Sequence, residues 1–176
     1  ANLWMARAYA GTVMLEGTTL SEGRGTTRPL ELFGAPGIDA RRLIADMRRI
    51  APQWQRGCVL RECFFEPTFH KHAGQLCAGV QIHVEDPTHY DPTAFQPWRL
   101  QALAFKALRV QAPGYPLWRD FAYEYEHDRL AIDLINGGPA LREWVDDPES
   151  TPENLDAITR PDEADWIETR KPHLLY

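Results

Sequence analysis

Apolar residues recur every three or four positions in residues 38–50, with arginines on the opposite side. This spacing is typical of an amphipathic helix that buries one face. The apolar face consists of Leu43, Ile44, Met47 and Ile50. Asp39 lies at the start of the predicted helix as a candidate N-cap, and Pro52 marks its end.

Two stretches, residues 57–67 and 76–86, instead have the composition and alternation of strands. In the second, Val80, Ile82 and Val84 fall on one face while the residues between them fall on the other, as a period of two requires. Residues 67–75 form the loop between these strands. We interpret residues 11–16 as a further short strand that brings Glu16 to the start of a glycine-rich segment.

The C-terminal half is predicted to be mainly helical. A helix from about residue 95 to 111 carries an apolar stripe of Trp98, Ala102, Phe105 and Leu108, and the sequence APGYP ends it. Residues 130–135 form a short helical or turn segment, and Pro139 lies in the first turn of the next helix. Thr151 and Pro152 open a final helix. Its predicted core positions are Leu155, Ile158 and Trp166.

These elements predict one α+β domain over residues 1–176, with a small, mainly antiparallel sheet flanked by helices. At 176 residues and 44% hydrophobic, the chain can form a single core. The net charge of −6 argues against a nucleic-acid partner, and no apolar run approaches the roughly 20 residues that span a bilayer. Three cysteines, Cys58, Cys63 and Cys77, are too few for a disulfide scaffold and are expected to be reduced, although a Cys63–Cys77 bridge is possible if their strands pair.

The segment EGTTLSEGRGTTRPLELFGAPG, residues 16–37, is the main candidate for chemistry. Its glycines, including Gly25, let the backbone approach a ligand closely, and its hydroxyl groups both donate and accept hydrogen bonds. Arg24 suits a carboxylate or a phosphate, and Glu16 could act as an acid or a base. We predict that Glu16 is catalytic and that the substrate is bound by Thr18, Ser21, Glu22, Arg24, Gly25, Thr26, Lys71 and His72.

A metal site is the competing interpretation of the histidines. His70 and His72 are spaced so that both imidazoles of an extended segment point the same way. Further possible ligands follow downstream at His83, Glu85, Asp86 and His89. The spacing is loose and no HExxH motif is present, so we expect neither a metal nor another cofactor.

Long stretches of the chain resemble the C-terminal part of the NamZ exo-β-N-acetylmuramidase family of bacterial cell-wall recycling. They are EGTTLSEGRGTTRPLELFGAP, FEPTFHKHAGQLCAGVQIHV, IDLINGG and RKPHLLY, in the family's order from Thr12 onward. The resemblance implies an auxiliary α+β domain that helps to wall a ligand cleft, next to a Rossmann-like N-terminal domain that lies outside this chain. Residues 1–10 would then be a residual interdomain segment.

The reaction that the resemblance implies is release of terminal N-acetylmuramic acid from peptidoglycan fragments. From the chemistry of a guanidinium we infer that the lactyl carboxylate of this sugar is the partner of Arg24. Glycoside hydrolysis ordinarily needs two carboxyl groups, and Glu16 supplies at most one, so the chain is expected to be inactive alone. The alternatives are a non-catalytic carbohydrate-binding or scaffold domain and a metal-dependent hydrolase using His70 and His72. A bacterial protein is implied, whether cytoplasmic, periplasmic or extracellular.

Overall fold

The computed structural model describes residues 2–175, and its strands form a three-stranded antiparallel sheet in the order β1-β3-β2. The strands are β1 (Leu32–Ala35), β2 (Val59–Phe65) and β3 (Cys77–His83). The helices are α1 (Leu3–Thr12), α2 (Ala40–Ile50), α3 (Pro97–Gln111), α4 (Ala131–Ile135), α5 (Ala140–Asp146) and α6 (Pro152–Arg170), with short 3₁₀ helices at Val13–Gly17, Pro52–Gln55 and Lys171–His173. The predicted α+β class and antiparallel sheet are confirmed.

The alternation along β3 determines which face of the sheet joins the main core. Val80 and Ile82 are buried and pair with Glu62 and Leu60 of β2. Leu60, Val80 and Ile82 belong to the main core, to which α2 and α3 also contribute. The opposite face holds a second, smaller cluster made of Leu32, Cys63, Phe65 and Cys77.

Helix α3 is the centre of the domain, because it contacts α1, α2 and α5 on different sides. Every residue from Leu100 to Leu108 is buried, including the ammonium-bearing Lys106. The Lys106 ammonium donates to the Trp144 carbonyl at 3.1 Å and to the Ser150 hydroxyl at 2.7 Å. A buried cation is tolerated there because acceptors surround it. The predicted stripe therefore underestimated the burial of this helix.

The N-terminal region differs from the prediction. Residues 11–16, predicted as a strand, instead end α1 and form most of the 3₁₀ helix Val13–Gly17. Asn2 caps α1 by accepting a hydrogen bond from the Met5 amide at 2.7 Å. The helix packs on α3, so residues 3–12 are part of the folded unit.

Three further assignments need correction. The glycine-rich segment, residues 16–37, in which no strand was predicted, contains strand β1, which is too short and too completely buried to show an alternating pattern. Trp166 and Ile158, predicted core positions of α6, are 61% and 45% exposed, while Leu155 of the same helix is buried. Pro139 is the N-cap of α5 and lies one position before the first helical residue.

Other local predictions are confirmed. The Asp39 carboxylate accepts a hydrogen bond from the Arg42 amide at 2.9 Å, and Thr151 caps α6 through a capping box with Asn154. The three thiols are free. Burial raises the pKa of Cys58 to about 12 and that of Cys63 to about 11, so neither thiol is poised for reaction.

Gly11 sets the approach of α1 to α3. A Cβ atom added there would lie 2.0 Å from the Pro97 carbonyl oxygen, so Gly11→Ala must push the two helices apart. We expect a loss of about 1–3 kcal/mol in the free energy of unfolding, measured by urea denaturation. Gly114→Ala is the matched control, because nothing lies within 4 Å of its added Cβ. Equal stability of the two variants would contradict the close packing of α1.

Candidate functional site

The glycine-rich segment is anchored at both sides by backbone hydrogen bonds. Ser21 and Gly34 exchange two of them, at 2.8 and 3.0 Å, which attaches the segment to β1. On the other side the Thr19 amide donates to Leu117 at 2.8 Å, and the Arg119 amide donates to Gly17 at 3.1 Å. The segment is therefore built into the fold between the sheet and residues 117–119.

Gly25 brings the loop between β2 and β3 against this segment. It has a φ of +80°, and a Cβ atom there would lie 1.7 Å from the Thr68 hydroxyl oxygen. The Thr68 amide also donates to the Arg24 carbonyl at 3.1 Å. Only glycine meets both demands, a left-handed backbone and close contact.

Glu22 lies at the centre of the two loops and is 1% exposed. Its carboxylate forms an ion pair with the Lys71 ammonium at 2.7 Å and another with Nε of Arg24. Burial would raise the pKa of Glu22, but the charge of Lys71 and the hydrogen bonds from Lys71 and Arg24 outweigh it, so the pKa is below the ordinary 4.5. Burial lowers the pKa of Lys71, and the Glu22 charge offsets this only in part.

Glu16 is more accessible, with 29% of its side chain exposed. Its Oε1 accepts a hydrogen bond from Nη2 of Arg24 at 3.0 Å, and its Oε2 accepts one from the Tyr123 hydroxyl at 3.0 Å. Burial, followed by the hydrogen bond to Glu16, raises the pKa of Tyr123 to about 12, so this hydroxyl is a donor at neutral pH. Arg24 thus bridges a buried carboxylate and an accessible one.

The structure brings the predicted residues together but gives them different surroundings. Thr18 and Ser21 are buried, and their hydroxyls bind the Leu15 carbonyl and the Gly23 amide. The Thr26 hydroxyl donates to the Gly23 carbonyl at 2.7 Å. Nε2 of His72 lies 2.9 Å from the Thr19 carbonyl oxygen, so this histidine too ties the two loops together.

The histidines have partners other than a metal in this structure. Within residues 2–175, no group of three or more histidine, cysteine or acidic side chains is placed to hold a metal ion. Nδ1 of His83 lies 2.7 Å from Glu85, and Nδ1 of His89 lies 2.8 Å from Asp86. One ring nitrogen of each of these imidazoles thus contacts a neighbouring carboxylate.

Three residues of this surface were missed in the sequence: Arg119, Phe121 and Tyr123. The Phe121 and Tyr123 rings meet edge to face with centroids 6.2 Å apart, and the Arg119 guanidinium lies 3.6 Å from the centre of the Phe121 ring. They lie in an irregular segment without periodicity, about 100 residues from Glu16 in sequence. The concentration of aromatic residues after the APGYP break was the one available signal.

The fold and the ionic contacts among Glu16, Glu22 and Arg24 define an α+β domain with a charged loop that is held in place by hydrogen bonds. The sequence matches the family described as exo-β-N-acetylmuramidase NamZ, C-terminal, over residues 7–176. The chain therefore belongs to the NamZ C-terminal family, as its motifs indicated.

Relatives agree with this assignment. The chain is 31% identical over 168 residues to the peptidoglycan β-N-acetylmuramidase NamZ of Bacillus subtilis (strain 168), covering 96% of this chain and 36% of that protein. Two crystal structures of DUF1343 family proteins from Bacteroides fragilis NCTC 9343 share the fold at 20% identity, with TM-scores of 0.74 and 0.63. The first match covers 97% of this chain and 42% of the Bacteroides protein. The second covers 98% of this chain and 40% of the other Bacteroides protein.

Helices long and apolar enough to cross a membrane are absent from the described part of the chain.

The buried ion pair leads to a stability prediction. Lys71→Met removes one of the two cations that neutralise Glu22, and we expect it to destabilise the fold by about 3 kcal/mol. The double variant Glu22→Gln/Lys71→Met should lose less than the sum of the two single changes, because it leaves no unpaired buried charge. Urea denaturation at pH 7 measures all three, and strictly additive losses would contradict the pairing.

The same pair gives a pH dependence with a defined sign. The pKa of Glu22 is lowered in the folded state, so its contribution to the free energy of unfolding is complete above about pH 4.5. This contribution is lost as the pH falls through the folded-state pKa. Glu22→Gln should therefore flatten the stability loss between pH 7 and pH 3. The exposed Glu149→Gln, as a control, should leave that slope unchanged.

Proposed function

We propose that this domain forms one wall of the substrate cleft of an exo-β-N-acetylmuramidase that acts on peptidoglycan fragments. Glu16 carries the proposal: it is a partly exposed carboxylate, oriented by Arg24 and Tyr123, inside the segment that most resembles the NamZ family. Family membership and the name of the Bacillus subtilis relative support the substrate class.

Glu16 acts on the substrate as a hydrogen-bond acceptor or as a base. An ionised carboxylate has about four acceptor positions, and two are used by Arg24 and Tyr123, which leaves positions for a sugar hydroxyl or for water. Both oxygens of Glu16 accept hydrogen bonds from protein donors, an arrangement that suits an acceptor, base or nucleophile better than a proton-donating general acid.

The second carboxyl group comes from a companion domain. Glu22 is 1% exposed and already paired with two cations, so it is unsuited to reach a glycosidic bond. The chain spans 36% of the Bacillus subtilis relative, which leaves ample sequence there for a second domain. The cleft then lies between that domain and the surface that carries Glu16, with Thr26, Lys71 and His72 fixing the loops behind it.

A carbohydrate-binding role without chemistry is the second candidate for this chain on its own. The observation in its favour is that, of the two carboxylates bound by Arg24, Glu16 is accessible and Glu22 is not, whereas hydrolysis uses two carboxyl groups. The isolated chain would then bind N-acetylmuramic acid without hydrolysing its glycosides.

Glu16→Gln in the complete protein tests the proposed function. The variant keeps the shape of the side chain but loses its charge and basicity, so we expect kcat/KM for a chromogenic β-N-acetylmuramic acid glycoside to fall by roughly 10²–10⁴. Tyr123→Phe removes one hydrogen-bond donor to Glu16 and should lower kcat/KM about tenfold, which corresponds to the free energy of one hydrogen bond.

Glu149→Gln, an identical change at an exposed position of the α5–α6 connection, is the matched control and should retain full activity. Melting temperatures of all variants should stay close to that of the wild type. Full activity of Glu16→Gln would remove Glu16 from the reaction, and a collapse of its melting temperature would make its role structural.

A further inference from the structure

The cationic side chains of the candidate site differ in how many of their nitrogen atoms already contact acceptors in the protein. Arg24 uses Nε for Glu22 and Nη2 for Glu16, so two of its three guanidinium nitrogens already have carboxylate partners. Lys71 is 8% exposed and donates to the carbonyls of Leu15 and Thr18 besides pairing with Glu22. Neither side chain is available to bind an acidic group of a ligand with its full donor set.

Arg119 is the exception. Within residues 2–175 it forms no ion pair with a carboxylate, although it is half-buried and its neighbour Asp120 is acidic and exposed. Its guanidinium lies 3.6 Å from the centre of the Phe121 ring, and a guanidinium stacked by its face can still donate hydrogen bonds from its edges. A guanidinium held in this way loses little conformational entropy when it binds a planar anion.

The backbone places Arg119 beside Glu16. Its amide donates to the carbonyl of Gly17, the residue that follows Glu16, at 3.1 Å. From Arg119 the contacts continue through Phe121 to Tyr123, whose hydroxyl binds Glu16. A group bound by Arg119 would therefore be part of the same ligand that meets Glu16.

Arg119 also lies near the other cations of the site. The pKa values of His70 and Lys71 are lowered mainly by burial and further by the positive charges of Arg119 and Arg24, so these groups lie within electrostatic reach of each other. A carboxylate bound by Arg119 would therefore be attracted by Lys71 and Arg24 as well.

We propose that Arg119 binds the carboxylate of the substrate, the lactyl carboxylate of an N-acetylmuramic acid residue, and so selects this sugar over neutral amino sugars. The proposal rests on the proposed function for the class of substrate. It assigns the carboxylate to Arg119 and leaves Arg24 as the residue that positions Glu16.

Isothermal titration of the complete protein with N-acetylmuramic acid and with its methyl ester tests the assignment separately from turnover. The ester has the same sugar without the negative charge. We expect the wild type to prefer the acid by roughly 10- to 100-fold, the equivalent of one charge-assisted hydrogen-bonded contact. Arg119→Met should abolish this preference while leaving the affinity for the ester unchanged, and Arg119→Lys should retain part of it.

Arg160→Met is the matched control, since it removes the same charge from an exposed position of α6 and should leave the preference intact. Loss of the preference in Arg24→Met but not in Arg119→Met would return the assignment to Arg24. A wild type that binds acid and ester equally would overturn the proposal, whatever its activity. Binding with the expected preference but no hydrolysis would instead count against the proposed function alone.

Discussion

The ion pair between the buried Glu22 carboxylate and the Lys71 ammonium is the interaction on which the candidate site depends. Neither charge would be stable in the interior without the other, because desolvation of an unpaired ion costs several kcal/mol. Lys71 belongs to the loop between β2 and β3, and Glu22 to the glycine-rich segment, so the pair joins two parts of the chain that are distant in sequence, together with the hydrogen bonds of Thr68 and His72 to the same segment. Arg24 extends this network to the surface, where it orients Glu16.

This arrangement explains why a segment rich in glycine and threonine is ordered. The hydroxyls of Thr18 and Ser21 bond to backbone groups close by in the sequence, and His72 of the β2–β3 loop contacts the Thr19 carbonyl of the segment. The conformational entropy of the loops is therefore lost during folding, and a ligand does not have to order them when it binds. Several polar side chains of the candidate site thus stabilise the conformation of its loops through hydrogen bonds to the backbone.

The regular elements with strong periodicity could be predicted from the sequence. Helix α2 and strand β3 followed from spacing, since each has one apolar face, and strand β2 followed from its composition. Helix α1 and strand β1 could not, because α1 has only a weak apolar face and β1 is four buried residues without alternation. Glu16 and Arg24 stood out by residue type, but Arg119 and Tyr123 reach the site through tertiary folding that no local pattern encodes.

Helix α6 is packed on the core near its first turns and is exposed in its second half. Its first turns are capped by Thr151 and anchored by Leu155 in the core, whereas residues from 160 onward are exposed and Trp166 contributes nothing to the core. Pro161 inside the helix also lacks the amide that would bond to the preceding turn. The two halves therefore differ in local stability: the second half can open in sub-global fluctuations, exchanging its amide hydrogens with solvent, while the first half opens only with the domain as a whole.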